Sequence, residues 1–349
     1  MIIEIKKLAH GGMGVGEVDG KTIFVPLSAP GDLLEVEIVN DHKSWMEGRA
    51  VSISKPSPSR VTPRCPVFGN CGGCQWQHLS YEAQLQWKER ILKESLERIG
   101  GIDNPEVLKT LPSPDEWHYR NKIQLHVDSK GKIGFYKPKS KEVVEFEKCF
   151  IADERLNNQL NDRRKEISKR DRGIALRVKD GPAFSQVNTG QNKQIKGKIV
   201  EWLNEISHES ILELYAGAGN FTFEIAKVAG RVVASDVDKH AIDLAKNAAK
   251  KLSVSNVEFI CAPSGRAAKR MQGLCDVLVL DPPRKGCADA IEDILKLKPS
   301  SILYLSCNPA TLSRDVSDLV KGGYSFVRSL PIDMFPQTFH VESLSLLTL

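Results

Sequence analysis

The chain has 349 residues, 41% hydrophobic and 27% charged, with a formal net charge of +5. That length and apolar content suit roughly two or three domains with real cores and exclude a disordered chain. The opening MIIEIKKLAHGGMG lacks the apolar core of a signal peptide, and no apolar run is long enough to cross a bilayer, so a cytoplasmic location without a membrane partner is expected. The mild basic excess permits a nucleic-acid partner without requiring one. Eight cysteines in a reducing compartment read as metal, catalytic or buried thiols rather than as a disulfide frame.

Short β-rich runs at 1–5, 21–26, 33–39 and 48–53, broken by glycine turns such as HGGMG at 10–14, predict a small antiparallel barrel over residues 1–55. The Pro/Ser-rich stretch 55–63 cannot continue a sheet and reads as a linker. Ser80 predicts the N-cap of a helix with apolar positions Leu85, Ile91, Leu92, Leu96 and Ile99, closed by Gly100 and Gly101. From about 107 to 179 the pattern returns to strands and charged turns, which makes residues 56–180 a central α+β domain. Its basic run, Arg163 to Lys165 with Lys169 and Arg170, reads as a solvated helix face rather than an RNA contact.

From about residue 199, strands expected at 211–214, 231–236, 257–260, 277–280 and 302–305 alternate with helices. That predicts a doubly wound, Rossmann-like α/β sheet in residues 181–349, with ligands at the carboxyl ends of its strands. The leucines of 342–349 predict one more strand.

The stretch ELYAGAGNFT at 213–222 puts Gly217 and Gly219 between a strand and a helix, where the backbone can turn tightly and approach a ligand. The next strand ends in Asp236, a carboxylate placed to accept hydrogen bonds from the ribose hydroxyls of an adenosine-containing cofactor. Thr222 stands where GxGxxG needs glycine and no GxxxxGK[ST] is present, so an adenosyl cofactor without phosphates fits better than NAD or ATP. In DVLVLDPPRKG at 276–286 a strand ends in Asp281 and two prolines stiffen the turn, as a carboxylate beside a substrate requires. Arg284 stands where amino-group methyltransferases often carry a stacking aromatic, which speaks against them. Cys307, in LYLSCNPATLSRD at 303–315, ends the following strand on the same sheet edge. A thiolate there suits addition to C6 of a pyrimidine, which turns C5 into a nucleophile toward an electrophilic methyl group; a base must then remove the C5 proton. His340 and Glu342 are the candidates, and spacing does not choose between them.

Cys65, Cys71 and Cys74 cluster among glycines, and Cys149 ends another candidate strand; four thiols could hold zinc or an iron–sulfur cluster. Cys261, Cys275 and Cys287 show no such constellation and are expected to be core or incidental. Trp76, His78, Phe135 and Tyr136 are candidates for stacking on RNA bases, with Trp76 and Phe135 equally suited to a core.

In combination, SCNPATLSRD at 306–315, DPPRKG at 281–286 and FPQTFHVE at 335–342 resemble the RNA uracil-C5 methyltransferases, and the likeness extends over nearly the whole chain. Residues 1–54 look like a TRAM domain, an RNA-binding barrel, and YRNK at 119–122 and KIGF at 132–135 are similar to the family's middle region. The resemblance implies a monomeric enzyme that uses S-adenosylmethionine to methylate uridine C5 in RNA. It makes Cys307 the nucleophile, Glu342 the base and Asp281 a residue of the cofactor and target-base pocket. Gln186, Tyr215, Asn220 and Asp236 would contact the cofactor beside Gly217. Asp236 is one methylene shorter than the family's usual glutamate, and the family's polar adenine-side contact is missing around Ala262, Pro263 and Ser264. The CxxxxxCGGC pattern with distant Cys149 resembles a [4Fe-4S] site with a structural role. The barrel and the GNFT loop resemble the 23S rRNA branch, so rRNA is the expected partner and a tRNA T-loop uridine the alternative. A non-catalytic RNA-binding protein on the same scaffold is disfavoured by the intact Cys307, Asp281 and Glu342.

Overall fold

The structure, a computed structural model, describes residues 1–164, 166, 173–178 and 186–349. Lys165, Lys169 and Arg170 of the basic run therefore lie outside the described residues.

Six strands form the N-terminal sheet: β1 (Ile2–Glu4), β2 (Lys7–Leu8), β3 (Gly14–Val18), β4 (Lys21–Val25), β5 (Leu33–Asp41) and β6 (Trp45–Lys55), in the order β1-β5-β6-β4-β3-β2. Alternation puts Ile23, Val25, Leu34 and Val36 on one buried face. The β4–β6 pair is parallel, against the antiparallel expectation, while the other pairs are antiparallel. β2 escaped the sequence reading because it is only two residues long, and β3 because two of its five residues are glycines. The Pro/Ser-rich linker is pinned: buried Asp32 accepts from Ser57 N at 2.9 Å and from Arg60 Nε and Nη2 at 2.7 Å each.

Helix α1 (Tyr81–Arg98) starts at the expected cap, with Ser80 Oγ accepting from Ala83 N. Strands β7 (Lys122–Val127), β8 (Ile133–Tyr136), β9 (Val143–Glu145) and β10 (Gly173–Arg177) make a second sheet, ordered β10-β7-β8-β9, with α2 (Glu154–Arg164) between β9 and β10 in the chain. Exposed Arg163, in the last turn of α2, pairs with Glu166.

The third sheet carries β11 (Ser210–Leu214), β12 (Arg231–Asp236), β13 (Val257–Cys261), β14 (Val277–Leu280), β15 (Ser301–Ser306), β16 (Ser325–Ile332) and β17 (Glu342–Thr348), in the order β13-β12-β11-β14-β15-β17-β16. The first five are parallel, and β17 inserts antiparallel between β15 and β16. Their near-continuous apolar runs follow from burial on both faces. Helices α3 (Thr189–Asn204), α4 (Thr222–Ile225), α5 (Lys239–Lys251), α6 (Ser264–Arg270), α7 (Ile291–Leu297) and α8 (Pro309–Lys321) accompany them. The core on one face includes Trp87, Ile91, Leu92 and Leu96 of α1 together with Leu8 and Ala29 from the barrel, so the third sheet is completed by earlier parts of the chain.

Candidate active site

The carboxyl ends of β11, β12, β14 and β15 carry Tyr215, Gly217, Asp236, Asp281 and Cys307 to one edge, because parallel strands joined by right-handed crossovers all end on the same side. Tyr215, Gly217 and Gly219 have φ of +63°, +54° and +85°. A Cβ on Gly217 would meet no atom within 4 Å, leaving open space before its backbone, whereas one on Gly219 would press on Phe223 at 2.9 Å. Asp236 Oδ2 accepts from Gly217 N and Oδ1 from Asp238 N, both at 2.8 Å. Each oxygen keeps a further lone pair for a hydroxyl donor. Glu213, buried beneath the loop, is pushed up to about 8 by burial, against a hydrogen bond from Thr222, with Asp281 and Asp236 adding to the rise.

Asn220 forms a reciprocal amide pair with Asn192, 3.0 Å in each direction. Gln186 is half-buried, and its carbonyl accepts from Asn121 Nδ2 at 2.9 Å; its neighbours Phe184 and Ser185 lie outside the described residues. Burial raises the Tyr215 hydroxyl to about 12, with Ser264 opposing the rise.

Cys307 follows directly on β15 and precedes Asn308, whose side chain caps α8 by accepting from Ala310 N. The half-buried thiol is pushed up by burial first and by Glu342 and Asp281 next, with Arg284 opposing. Burial raises the Asp281 carboxyl to about 7. Glu342, the first residue of β17 as the strand expected at 342–349 has it, is raised to about 8 by burial and by Asp281, while Lys88 and Arg284 pull it down. His340 goes the other way: burial lowers it to about 4, with Arg284, Lys88, His10 and Arg120 adding to the effect.

The turn after β14 is bolted to α8. Buried Asp315 Oδ2 accepts from Cys287 N and the Tyr304 hydroxyl, both at 2.7 Å, and its Oδ1 accepts from Arg314 Nε at 2.9 Å. Arg314 also donates to Lys285 O at 2.8 Å, and Thr311 Oγ1 to Arg284 O at 3.1 Å. These anchors, together with the charges of Arg284 and Lys88, were missed by sequence reasoning. Only the polar cluster in ATLSRD hinted at the first.

Cys65, Cys71, Cys74 and Cys149 line one cavity of about 610 Å³ that extends to Arg284, Thr338 and His340. Burial raises the Cys71 thiol to about 11 and the Cys74 thiol to about 12, with the other cysteines adding to both. Among the described residues no group of three or more His, Cys, Asp or Glu converges closely enough to hold a single metal ion. Trp76 and His78 are core residues, which corrects the stacking expectation: Trp76 is fully buried with Nε1 donating to Gly12 O at 3.1 Å, and His78 Nε2 bonds Ser28 O. Phe135 stacks on Phe146 and Tyr136 on His126. Cys287 is buried and Cys261 exposed.

The family model for tRNA (uracil-5-)-methyltransferase matches residues 163–349, and the TRAM domain model of tRNA (uracil(54)-C(5))-methyltransferase matches residues 1–58. An uncharacterized RNA methyltransferase of Halalkalibacterium halodurans is 31% identical, over 99% of this chain and 96% of that protein. Another, from Aquifex aeolicus, is 31% identical over 99% and 97%. The crystal structure of Pyrococcus abyssi tRNA (uracil-54, C5)-methyltransferase in complex with S-adenosyl-L-homocysteine is similar with a TM-score of 0.75 at 26% identity, covering 100% of both chains.

Proposed function

Because the chain belongs to the tRNA (uracil-5-)-methyltransferase family, we propose that it methylates C5 of a uridine in RNA through Cys307, Asp281 and Glu342. The observation that carries this is the convergence of a thiol and two carboxyls with raised pKa on one sheet edge. Perturbed groups gathered in one place are the mark of a reaction centre.

S-adenosylmethionine, when bound, supplies the electrophilic methyl group. The open space before Gly217 and the spare lone pairs of Asp236 fit its adenosyl part, with Tyr215, Asn220 and Gln186 as further contacts. The Cys307 thiol gives its proton to solvent and adds to C6, so that the C5–C6 π electrons become an enolate; C5 would then take the methyl group as its bond to the sulfonium sulfur breaks, the electron pair staying on that sulfur. Glu342 then removes the C5 proton, the double bond re-forms and the sulfur leaves as thiolate. Glu342 is favoured over His340 because an acceptor with a pKa near 8 suits proton removal at neutral pH, whereas cations around His340 oppose its protonation. Uracil must leave its stack to meet Cys307.

Cys65, Cys71, Cys74 and Cys149 line one cavity; thiolate donors suit either zinc or an iron–sulfur cluster, and the family-like CxxxxxCGGC pattern favours the latter. Cys65, Cys71, Cys74 and Cys149 would hold a [4Fe-4S] cluster with a structural role. We also divide the chain into a barrel (1–55), a central RNA-binding unit (56–180) and a catalytic unit (181–349).

Ribosomal RNA was favoured on the barrel and the GNFT loop. The barrel does not separate the substrates, since the matching TRAM model is itself that of a tRNA (uracil(54)-C(5)) enzyme. The GNFT loop supports 23S rRNA, and the end-to-end likeness to the Pyrococcus abyssi enzyme supports a tRNA T-loop uridine. Mapping 5-methyluridine in rRNA and tRNA from cells with and without the gene decides between them; no lost 5-methyluridine in either RNA rejects the enzyme reading.

A further inference from the structure

The glycine loop after β11 is held from two sides. Asp236, at the end of β12, takes Gly217 N on one flank. On the other flank Asn192, in the first turns of α3, bonds reciprocally with Asn220, 3.0 Å in each direction and 28 positions apart in sequence. A primary amide offers two N–H donors and an oxygen with two lone pairs. The pair uses one donor and one lone pair of each side chain, and turning either amide over would set like atoms against like. Asn220 is thereby fixed in orientation, with one N–H and one lone pair to spare for a further partner.

Anchoring α3 does not account for Asn192, because the helix is secured by other residues. Its cap, Asn188, accepts from Gln191 N at 3.0 Å and donates from Nδ2 to Ser113 Oγ at 2.9 Å and to Met334 O at 3.2 Å. Ile195, Ile199, Trp202 and Leu203 bury the helix in one core with Phe221 and Ile225 of the α4 region. An apolar residue one turn before Ile195 would serve packing alone, whereas a buried amide is costly unless its bonds are made. The partner that makes them lies on the loop. Asn220 directly follows Gly219, at φ +85°, and precedes Phe221, which caps α4 without a side-chain hydrogen bond. Satisfied buried polar pairs of this kind specify geometry more than they add net stability.

We infer that Asn192 is a positioning residue for the cofactor: by gripping Asn220 it holds the far flank of the glycine loop in the shape that receives S-adenosylmethionine. The inference rests on the reading of residues 213–222 as the cofactor site.

The test is calorimetric titration of the anaerobically purified full chain with S-adenosylmethionine and, separately, S-adenosylhomocysteine, beside thermal melts without either ligand. Asn192→Leu keeps the size of the side chain and removes both bonds. Its Kd for each ligand rises roughly tenfold, the scale of one or two lost hydrogen bonds. In an Asn220→Leu background the same substitution adds little, because the pair is already gone. A Kd within about twofold of the wild type, even with a lowered melting temperature, leaves Asn192 a structural role only and overturns the inference; so does an equal rise in both backgrounds. If Asn192→Leu does not fold, Asn192→Asp at about pH 8 decides. It keeps one bond and sets a carboxylate oxygen against Asn220 Oδ1, so a raised Kd supports the inference and an unchanged one overturns it. A wild-type protein that binds neither ligand rejects the reading of the loop itself, which separates the two failures.

Discussion

Glu342→Gln replaces a carboxyl whose pKa is raised from 4.5 to about 8, first by burial and then by Asp281. A group held more protonated in the fold than in the unfolded chain makes the unfolded state the weaker proton binder, so stability falls as pH rises between those values. The loss begins near the unfolded pKa and is complete above about pH 8. Taken at face value the shift corresponds to at most about 5 kcal/mol. Water entry and the shared titration with Asp281 reduce this to an expected 1–3 kcal/mol or so. At about 2–4 °C per kcal/mol for a domain of this size, that is a melting difference of roughly 3–10 °C. Glutamine is neutral at every pH, so the assay is thermal unfolding of wild type and variant, monitored by circular dichroism at pH 5 and pH 8.5. The variant's advantage is small at pH 5 and full at pH 8.5, and titrating groups remote from Glu342 cancel in the difference. A gap that does not widen between these values refutes the burial argument. Catalysis gives a separate readout: the same variant completes methylation and accumulates a protein–RNA adduct on denaturing gels.

Cys307→Ala retains RNA binding in filter assays but transfers no methyl group; measurable turnover excludes the thiol as nucleophile. Gly286→Ala is expected to destabilise by about 1–3 kcal/mol in a thermal melt and to lower turnover. Its φ is +77° and the added Cβ would collide with Asp315 Oδ2 and Arg314, the bolt that sets the Asp281 turn. Anaerobically purified protein contains iron and sulfide by elemental analysis, and zinc in their place rejects the cluster.

The five parallel strands, the cap at Ser80 and the strand at the C-terminus were legible because buried parallel strands and capped helices leave local patterns. The glycine loop and Asp236 were legible through their placement at strand ends. Other features involve partners distant in sequence. Lys88 looks like one lysine among many on an amphipathic helix, and only the fold places it against Asp333, 245 residues away. The choice of Glu342 over His340 depends on which charges surround each, information that spacing does not hold. Trp76 stayed open between stacking and packing because an aromatic beside CGGC suits both, and the structure buries it with its indole N–H on a barrel carbonyl.

That indole contact bears on why the barrel is part of the enzyme. Gly12, in the loop between β2 and β3, lies against Phe339, and His10 meets the same ring edge-on at 6.2 Å. Phe339 in turn packs on His340, 4.4 Å between ring centroids, two residues before Glu342. The barrel thus braces the segment that carries Glu342, the proposed base, in addition to any grip on RNA. Gly12→Ala tests this: φ is +86°, and the new Cβ would sit 2.9 Å from Phe339 Cβ, so the ring must move and the approach to Glu342 with it. Misplacement on that scale costs turnover roughly tenfold or more, while RNA contacts elsewhere on the barrel are untouched. Steady-state assays should therefore show a fall in kcat with little change in RNA affinity. The opposite result, weaker RNA binding at an unchanged kcat, would make the barrel an RNA anchor only and leave Phe339 without a role in placing the base.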